Sequence, residues 1–279
     1  MRVVLALLGA VAFARTADAQ MPRDTGAHVV LAAGADGVKG VDLEAIAIRR
    51  GRRYSPLLLP SARVVAALNA IRRTSGPLTV LFHGTRAGTA VPVEPIGEFA
   101  CGGVTGRFAP LAEGPPFDGI ATDAPPVVSR RPIVRRATFA EEKTLRAILA
   151  RILRAHGVSG RAAADARMDN AFAVTVHAGE PPALVAGASV DVEDERNHGA
   201  FAVVEGGPGA YRLAYAAYTP PRRLEPETRD LYDAADLDGD GTAELVVMSS
   251  FWETWSYRIL SRRTGRWRQV FVGGGGGCG

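Results

Sequence analysis

The chain has 279 residues, of which 47% are hydrophobic and 22% are charged, and its formal net charge is +4 at pH 7. This length can bury a sizeable core, as one large domain or two small ones. The basic residues are almost all arginine and lie in separate clusters without an interleaved aromatic platform, at 49–53, 130–136 and 262–268. The composition therefore argues against nucleic acid as a partner.

The first twenty residues have the pattern of a secretory signal peptide. Arg2 precedes the apolar run 3–13, and an Ala-x-Ala sequence ends at Ala19. A short positive region, a short apolar segment and a small-residue site are typical of a cleaved signal, and the run is short for a membrane span. We predict a signal peptide at residues 1–19, a secreted or periplasmic protein, and no membrane span after cleavage. An uncleaved anchor is the alternative.

The chain has two cysteines, Cys101 and Cys278. Outside the cytoplasm cysteines can pair, and an even count suits a single bridge. We predict a Cys101–Cys278 disulfide, with two free thiols as the alternative. The glycine run 273–277 is predicted to be a flexible lead that lets Cys278 reach its partner, since glycine has the highest backbone entropy.

Residues 20–136 are predicted to form a β-rich region with one short helix. Alternation of small and apolar residues indicates strands, and clusters of Gly and Pro indicate loops. The predicted elements are a β-hairpin at 27–50, a helix at 62–73, two strands at 78–82 and 88–93 around His83, and Gly/Pro-rich loops with short irregular strands at 97–136.

Residues 137–279 are predicted to contain a helix and then a β region. Thr138 and Glu141 have the spacing of a capping box, and the apolar residues that follow form one stripe, which predicts a helix from Thr138 to about His156. Everything after Asp169 has a β pattern. The predicted fold class is α+β: a β-rich N-terminal part with a short helix, one long capped helix at 138–156, and a C-terminal antiparallel β region of two similar units.

Residues 236–244 read Asp-Leu-Asp-Gly-Asp-Gly-Thr-Ala-Glu and are the most informative segment. Ca²⁺ takes about six to eight oxygen ligands at about 2.3–2.6 Å, and carboxylates at alternate positions of a curled loop can supply them. Four carboxylates within nine residues repel one another without a cation. The alternative is a surface turn that binds nothing. The predicted Ca²⁺ ligands are Asp236, Asp238, Asp240, the Thr242 carbonyl and Glu244, the last directly or through water.

The loop differs from an EF-hand. Val247 stands at the twelfth position, where an EF-hand has a bidentate Glu, and residues 245–248 favour a strand over an exiting helix. The loop resembles the FG-GAP/VCBS repeat group, whose blades carry Asp-x-Asp-x-Asp-Gly-x-x-Glu-Leu-Val. The matching residues are Asp236, Asp238, Asp240, Gly241, Glu244, Leu245 and Val246. The resemblance covers only the C-terminal part of the chain and implies adhesion or ligand recognition on extracellular surfaces.

A degenerate copy of this unit precedes the loop. The aligned segments are 176–185 with 237–246, 201–204 with 257–260, and 206–215 with 262–271. The first copy has Thr175, His177, Gly179 and Ala183 at the positions of the four carboxylates, so only the second copy is predicted to bind calcium. Two units are too few to close a propeller. We therefore expect an open two-unit sheet packed on the capped helix, and an unrelated β-hairpin in place of the first copy is the alternative.

The sequence leaves catalysis open, although a non-enzymatic role is favoured. It has no nucleophile elbow, zinc-protease helix, phosphate loop or dinucleotide fingerprint. One alternative function is a secreted hydrolase with a site near His83, and another is a purely structural envelope protein. Trp252 follows the calcium loop, where an exposed aromatic side chain could contact an extracellular carbohydrate or protein.

Overall fold

The structure is a computed structural model that describes residues 26–37, 39–57, 68–70, 73, 76–95, 103–125, 128–192, 196–223 and 227–277. The predicted signal peptide at 1–19 and both cysteines of the predicted disulfide lie outside the described residues. So does most of the predicted helix at 62–73, of which residues 68–70 and 73 are helical. Among the described helices, none is long and apolar enough to cross a membrane.

The predicted α+β fold class is wrong, because the protein is mostly β. Strands make up 57% of the described residues and helices 12%. Helix α1 (Phe139–Ala155) begins after Thr138, whose hydroxyl accepts a hydrogen bond from the Glu141 amide while the Glu141 carboxylate accepts one from the Thr138 amide. Helix α2 (Gly160–Ala164) follows it. Both helices pack on one face of a single sheet.

The N-terminal strands close into an antiparallel barrel. Its order is β1-β7-β4-β5-β6-β2, β2 pairs back to β1, and β3 extends the sheet beside β2. Side chains of Leu31, Val80 and Phe108 fill the interior. The strands are β1 (Ala27–Ala35), β2 (Gly40–Arg50), β3 (Arg53–Pro56), β4 (Leu78–Phe82), β5 (Thr85–Pro95), β6 (Val104–Pro110) and β7 (Phe117–Thr122).

The described part of the segment 97–136 is more regular than its composition indicates. Its strand β7 pairs with both β1 and β4, with Ala121 opposite Val80 in β4. At Gly119 an added Cβ would lie 2.2 Å from the Leu81 carbonyl oxygen, so this glycine permits the close approach of β7 to its neighbour. Gly119, one of the glycines that predict a loop, is therefore a residue that allows β7 to pair in the barrel.

The remaining strands form two separate sheets. A five-stranded sheet has the order β12-β11-β10-β9-β8, and a four-stranded sheet has the order β13-β14-β15-β16. The expected single two-unit sheet packed on the helix is wrong, because the two units stack face to face and only the first contacts α1. The strands are β8 (Val134–Arg136), β9 (Ala171–Val174), β10 (Ala183–Val192), β11 (Arg196–Glu205), β12 (Arg212–Arg223), β13 (Thr228–Ala235), β14 (Glu244–Ser250), β15 (Trp255–Arg263) and β16 (Arg266–Gly273).

Both of these sheets are buried on their two faces. Successive side chains of a strand point to opposite faces, so Leu184 packs toward α1 whereas Val185 packs toward the four-stranded sheet. In that sheet Val247 faces the five-stranded sheet and Val246 faces the barrel. The continuous apolar runs of β10 and β14 reflect this burial on both sides.

The glycine run 273–277 is not the flexible lead that its composition predicts. The Gly275 amide donates a hydrogen bond to the Ala45 carbonyl of the barrel at 3.3 Å. An added Cβ at Gly275 would lie 2.0 Å from the Trp255 carbonyl oxygen, and one at Gly274 would lie 2.5 Å from the Ala45 carbonyl oxygen. The run packs between the barrel and β15, and at Gly274 and Gly275 only a residue without a Cβ fits.

An ionic cluster joins the five-stranded sheet to the four-stranded sheet. Glu227 is buried and its Oε1 accepts hydrogen bonds from Arg229 Nε and Arg258 Nη2, both at 2.8 Å. The hydroxyl of Thr219, in β12, donates to Glu227 Oε2 at 3.4 Å. Although burial opposes ionisation, the two guanidinium groups lower the pKa of Glu227 to about 2.

Glu227→Gln is expected to destabilise the protein by about 2 kcal/mol at pH 7, because two partly buried guanidinium groups lose their counter-charge. The folded-state pKa is depressed, so this stabilisation is complete above about pH 4.5 and is lost as the pH falls toward about 2. Urea unfolding at several pH values should show the difference from wild type shrinking over that interval. Glu253→Gln, the same change at an exposed position, serves as the control. A constant difference from pH 7 to pH 2.5 would contradict the assignment.

Candidate cation site

The acidic loop connects β13 to β14 and is curled around one carboxylate. Asp236 Oδ1 accepts hydrogen bonds from the amides of Gly239 at 2.8 Å and Asp240 at 3.2 Å, and Asp236 Oδ2 accepts one from the amide of Gly241 at 2.8 Å. Gly239 and Gly241 have φ of 77° and 86°. These left-handed conformations favour glycine, so the Asp-Gly-Asp-Gly sequence is what allows the curl.

Three of the predicted ligands meet in one group. One carboxylate oxygen from each of Asp236, Asp238 and Glu244 lies within 4.8 Å of the others. Two oxygens on one Ca²⁺ can be at most about 5.2 Å apart, since each lies within about 2.6 Å of the ion. The spacing of the three carboxylates therefore fits a shared calcium ion.

The Asp238 carboxylate is buried and incompletely paired. Its side chain is 1% exposed. Asp238 Oδ1 accepts a hydrogen bond from the Asp240 amide at 3.2 Å, whereas Asp238 Oδ2 has no hydrogen-bond partner among the described residues. A buried carboxylate oxygen without a hydrogen-bond donor is costly, so this atom has room for a donor or for a metal ion that would coordinate it.

Glu244 is the most deeply buried of the three carboxylates. It is 1% exposed, and its oxygens accept hydrogen bonds from the Leu237 amide at 2.9 Å and the Ser261 hydroxyl at 3.1 Å. Burial, followed by the charge of Asp238, raises the pKa of Glu244 to about 8. Burial also raises the pKa of Asp236 and of Asp238. The three carboxyl groups are therefore in surroundings that penalise their negative charges.

The other two predicted ligands are placed differently. Asp240 is exposed and outside the group of three; its Oδ1 accepts from the Thr242 amide at 2.9 Å and its Oδ2 accepts from Arg52 Nη2 at 2.9 Å. Thr242 forms a β-bridge with His177 of the first unit's loop. The two loops thus contact each other, and the first carries no carboxylate at the corresponding positions.

Two barrel residues that sequence reasoning missed lie beside the group. Arg52 Nε lies 3.5 Å from Asp238 Oδ2. The Tyr54 hydroxyl is buried without a hydrogen-bond partner among the described residues, and burial together with the charges of Glu244 and Asp238 raises its pKa well above the usual value. Both residues come from the β2–β3 hairpin, far from the loop in sequence, and no local pattern indicates their position.

No protein-family model, curated protein or solved structure matches this chain. The resemblance to the FG-GAP/VCBS group therefore depends on residues 236–246 alone, and membership of that group stays a prediction.

His83, the centre of the alternative hydrolase hypothesis, lies in the tight turn between β4 and β5. Its φ is 52°, and its amide donates to both oxygens of the buried Asp233, at 3.0 and 3.2 Å. Its carbonyl accepts from the Ile133 amide, and its ring stacks on Phe82 at 3.8 Å. Burial, followed by the charge of Arg136, lowers the pKa of His83. These contacts are those of a structural turn residue.

The aromatic residues after the acidic loop differ in their exposure to solvent. Trp252 is 78% exposed, whereas Tyr257 is buried between the four-stranded sheet and the barrel. The Tyr257 hydroxyl and Trp255 Nε1 both donate to Glu44 Oε2, at 2.8 and 2.7 Å. Trp252 is thus the aromatic residue of this segment that faces solvent.

Proposed function

We propose that this protein is a secreted or periplasmic calcium-binding protein in which one Ca²⁺ has a structural role in residues 236–244. Asp236, Asp238 and Glu244 would hold the ion. Asp240 and the Thr242 carbonyl, predicted from loop position, would complete the oxygen set after rotation or through water. A calcium ion supplies positive charge to carboxylates that burial has deprived of solvent.

The observation that carries this proposal is Asp238 Oδ2. It is a buried carboxylate oxygen without a hydrogen-bond donor among the described residues, within a group of three carboxylates whose spacing suits one ion. Hard oxygen ligands of this kind favour Ca²⁺ over softer metals. The N-terminal sequence pattern supports export, and weak calcium modules are common outside the cytoplasm.

The proposed biological role is that of a binding or adhesion-type module. The ion would fix the turn that leads into β14, the second strand of the sheet that packs against the barrel. Trp252, in the connection after β14, offers an exposed aromatic surface to an extracellular carbohydrate or protein. Contact with an extracellular partner would require export of the protein.

Isothermal titration with CaCl₂ tests the site. Wild type is expected to bind one ion, and Asp238→Asn is expected to bind about tenfold more weakly or not at all, because ligand charge sets the affinity of such loops. Asp165→Asn is the matched control, since this exposed aspartate is the C-cap residue of α2, away from the loop. Equal binding by wild type and Asp238→Asn, or no binding by wild type at 10 mM CaCl₂, would refute the proposal.

A further inference from the structure

The turn between β2 and β3 places an arginine on the acidic loop. Arg52 Nη2 lies 2.9 Å from Asp240 Oδ2, and Arg52 Nε lies 3.5 Å from Asp238 Oδ2. The barrel and the last sheet are thus joined by an ion pair between residues 188 positions apart. The guanidinium group is directed at the same Asp238 oxygen that lacks a hydrogen-bond donor.

The backbone that carries Arg52 is held in place from two sides. Arg49, which is buried, donates from Nη1 to the Gly51 carbonyl at 2.9 Å, and Gly51 has a φ of 55°. Arg263 Nη2, on β15, donates to the Arg52 carbonyl. Because the turn is fixed to both the barrel and the last sheet, the Arg52 side chain starts from a defined position beside the loop.

We propose that Arg52 is a tethered competitor that sets the calcium affinity of the loop. This inference rests on the proposed calcium binding. The Arg52 guanidinium group and a divalent ion bound to Asp238 Oδ2 would compete for the negative charge of that oxygen. The two cations would also repel each other. Binding of the ion therefore requires Arg52 to move away from Asp238, and the lost ion pair weakens the net affinity.

This mechanism predicts two effects of opposite sign when Arg52 is neutralised. Calcium binding becomes tighter, because the competing cation is gone. The calcium-free protein becomes less stable, because the carboxylates lose a counter-charge. The Arg52 side chain is 54% exposed, so solvent screens the pair and both effects are modest. The effect on affinity should also shrink at high salt.

The test uses Arg52→Gln, with Arg53→Gln as the matched control. Arg53 is the next residue and is exposed, and its side chain makes no ion pair with a described residue. In calcium titration of the full chain, Arg52→Gln is expected to bind about threefold to fivefold more tightly than wild type. In EDTA, its melting temperature is expected to fall by about 1–4 °C. Arg53→Gln should match wild type in both measurements.

Each possible outcome decides a different point. Weaker or unchanged binding by Arg52→Gln, with wild type binding normally, overturns the competitor role while the calcium site stands. An equal gain in Arg53→Gln also overturns it, since the effect would then be one of general charge. If neither wild type nor Arg52→Gln binds calcium, the proposed function fails and this inference fails with it.

Discussion

Calcium is expected to raise the melting temperature of the wild-type protein, and Asp238→Asn is expected to lose this rise. A ligand that binds only the folded state stabilises it by RT ln(1 + [L]/Kd), which is about 2.7 kcal/mol at a hundredfold excess over Kd. At 10 mM CaCl₂ that excess corresponds to a Kd of about 0.1 mM, within the range of extracellular calcium modules. For a chain of this size the expected rise is about 5–10 °C relative to EDTA.

Differential scanning calorimetry in CaCl₂ and in EDTA measures this shift. Asp165→Asn, which carries the same change of charge, should show the full wild-type rise. Magnesium chloride at the same concentration separates specific binding from general screening, because Mg²⁺ requires a smaller octahedral cage. If calcium shifts wild type and Asp238→Asn equally, the ion acts elsewhere and the proposed site is wrong.

Gly187→Ala is expected to destabilise the protein by about 3 kcal/mol, lowering the melting temperature by about 6–12 °C. Gly187 lies in β10 on the face toward the four-stranded sheet, and an added Cβ would lie 1.8 Å from the Arg229 carbonyl oxygen and 3.0 Å from its carbon. These are backbone atoms of the neighbouring sheet, so the clash can be relieved only by moving the sheets apart. Chemical denaturation with urea measures the loss.

Gly160→Ala is the control for this substitution. Gly160 is the first residue of α2, and an added Cβ would meet no described atom within 4 Å. Alanine favours helix over glycine, so this variant should be as stable as wild type or up to about 1 kcal/mol more stable. A Gly187→Ala variant with wild-type stability would show that the two sheets are not in direct contact at this position.

Local sequence patterns predict those features that depend on neighbouring residues. The hairpin at 27–50 corresponds to β1 and β2, and the strands predicted on either side of His83 correspond to β4 and β5. The turn chemistry of 236–244 is likewise local, because Asp236 is paired with amides only three to five residues ahead. The glycines at alternate positions, Gly239 and Gly241, allow this curl to be predicted from the sequence.

The sequence by itself determined where the acidic loop and most strands lie, since alternation, glycine position and carboxylate spacing act over a few residues. Tertiary structure alone decided that β7, whose composition resembles a loop, closes a barrel and that the two units stack as separate sheets, because these contacts join segments that are distant in sequence. It also decided the surroundings of Asp238. Arg52 reaches that carboxylate from the turn between β2 and β3, the charge of Asp238 acts on Tyr54 of β3, and Ser261 reaches Glu244 from β15. Folding brings these groups together through long-range packing, which no local pattern encodes.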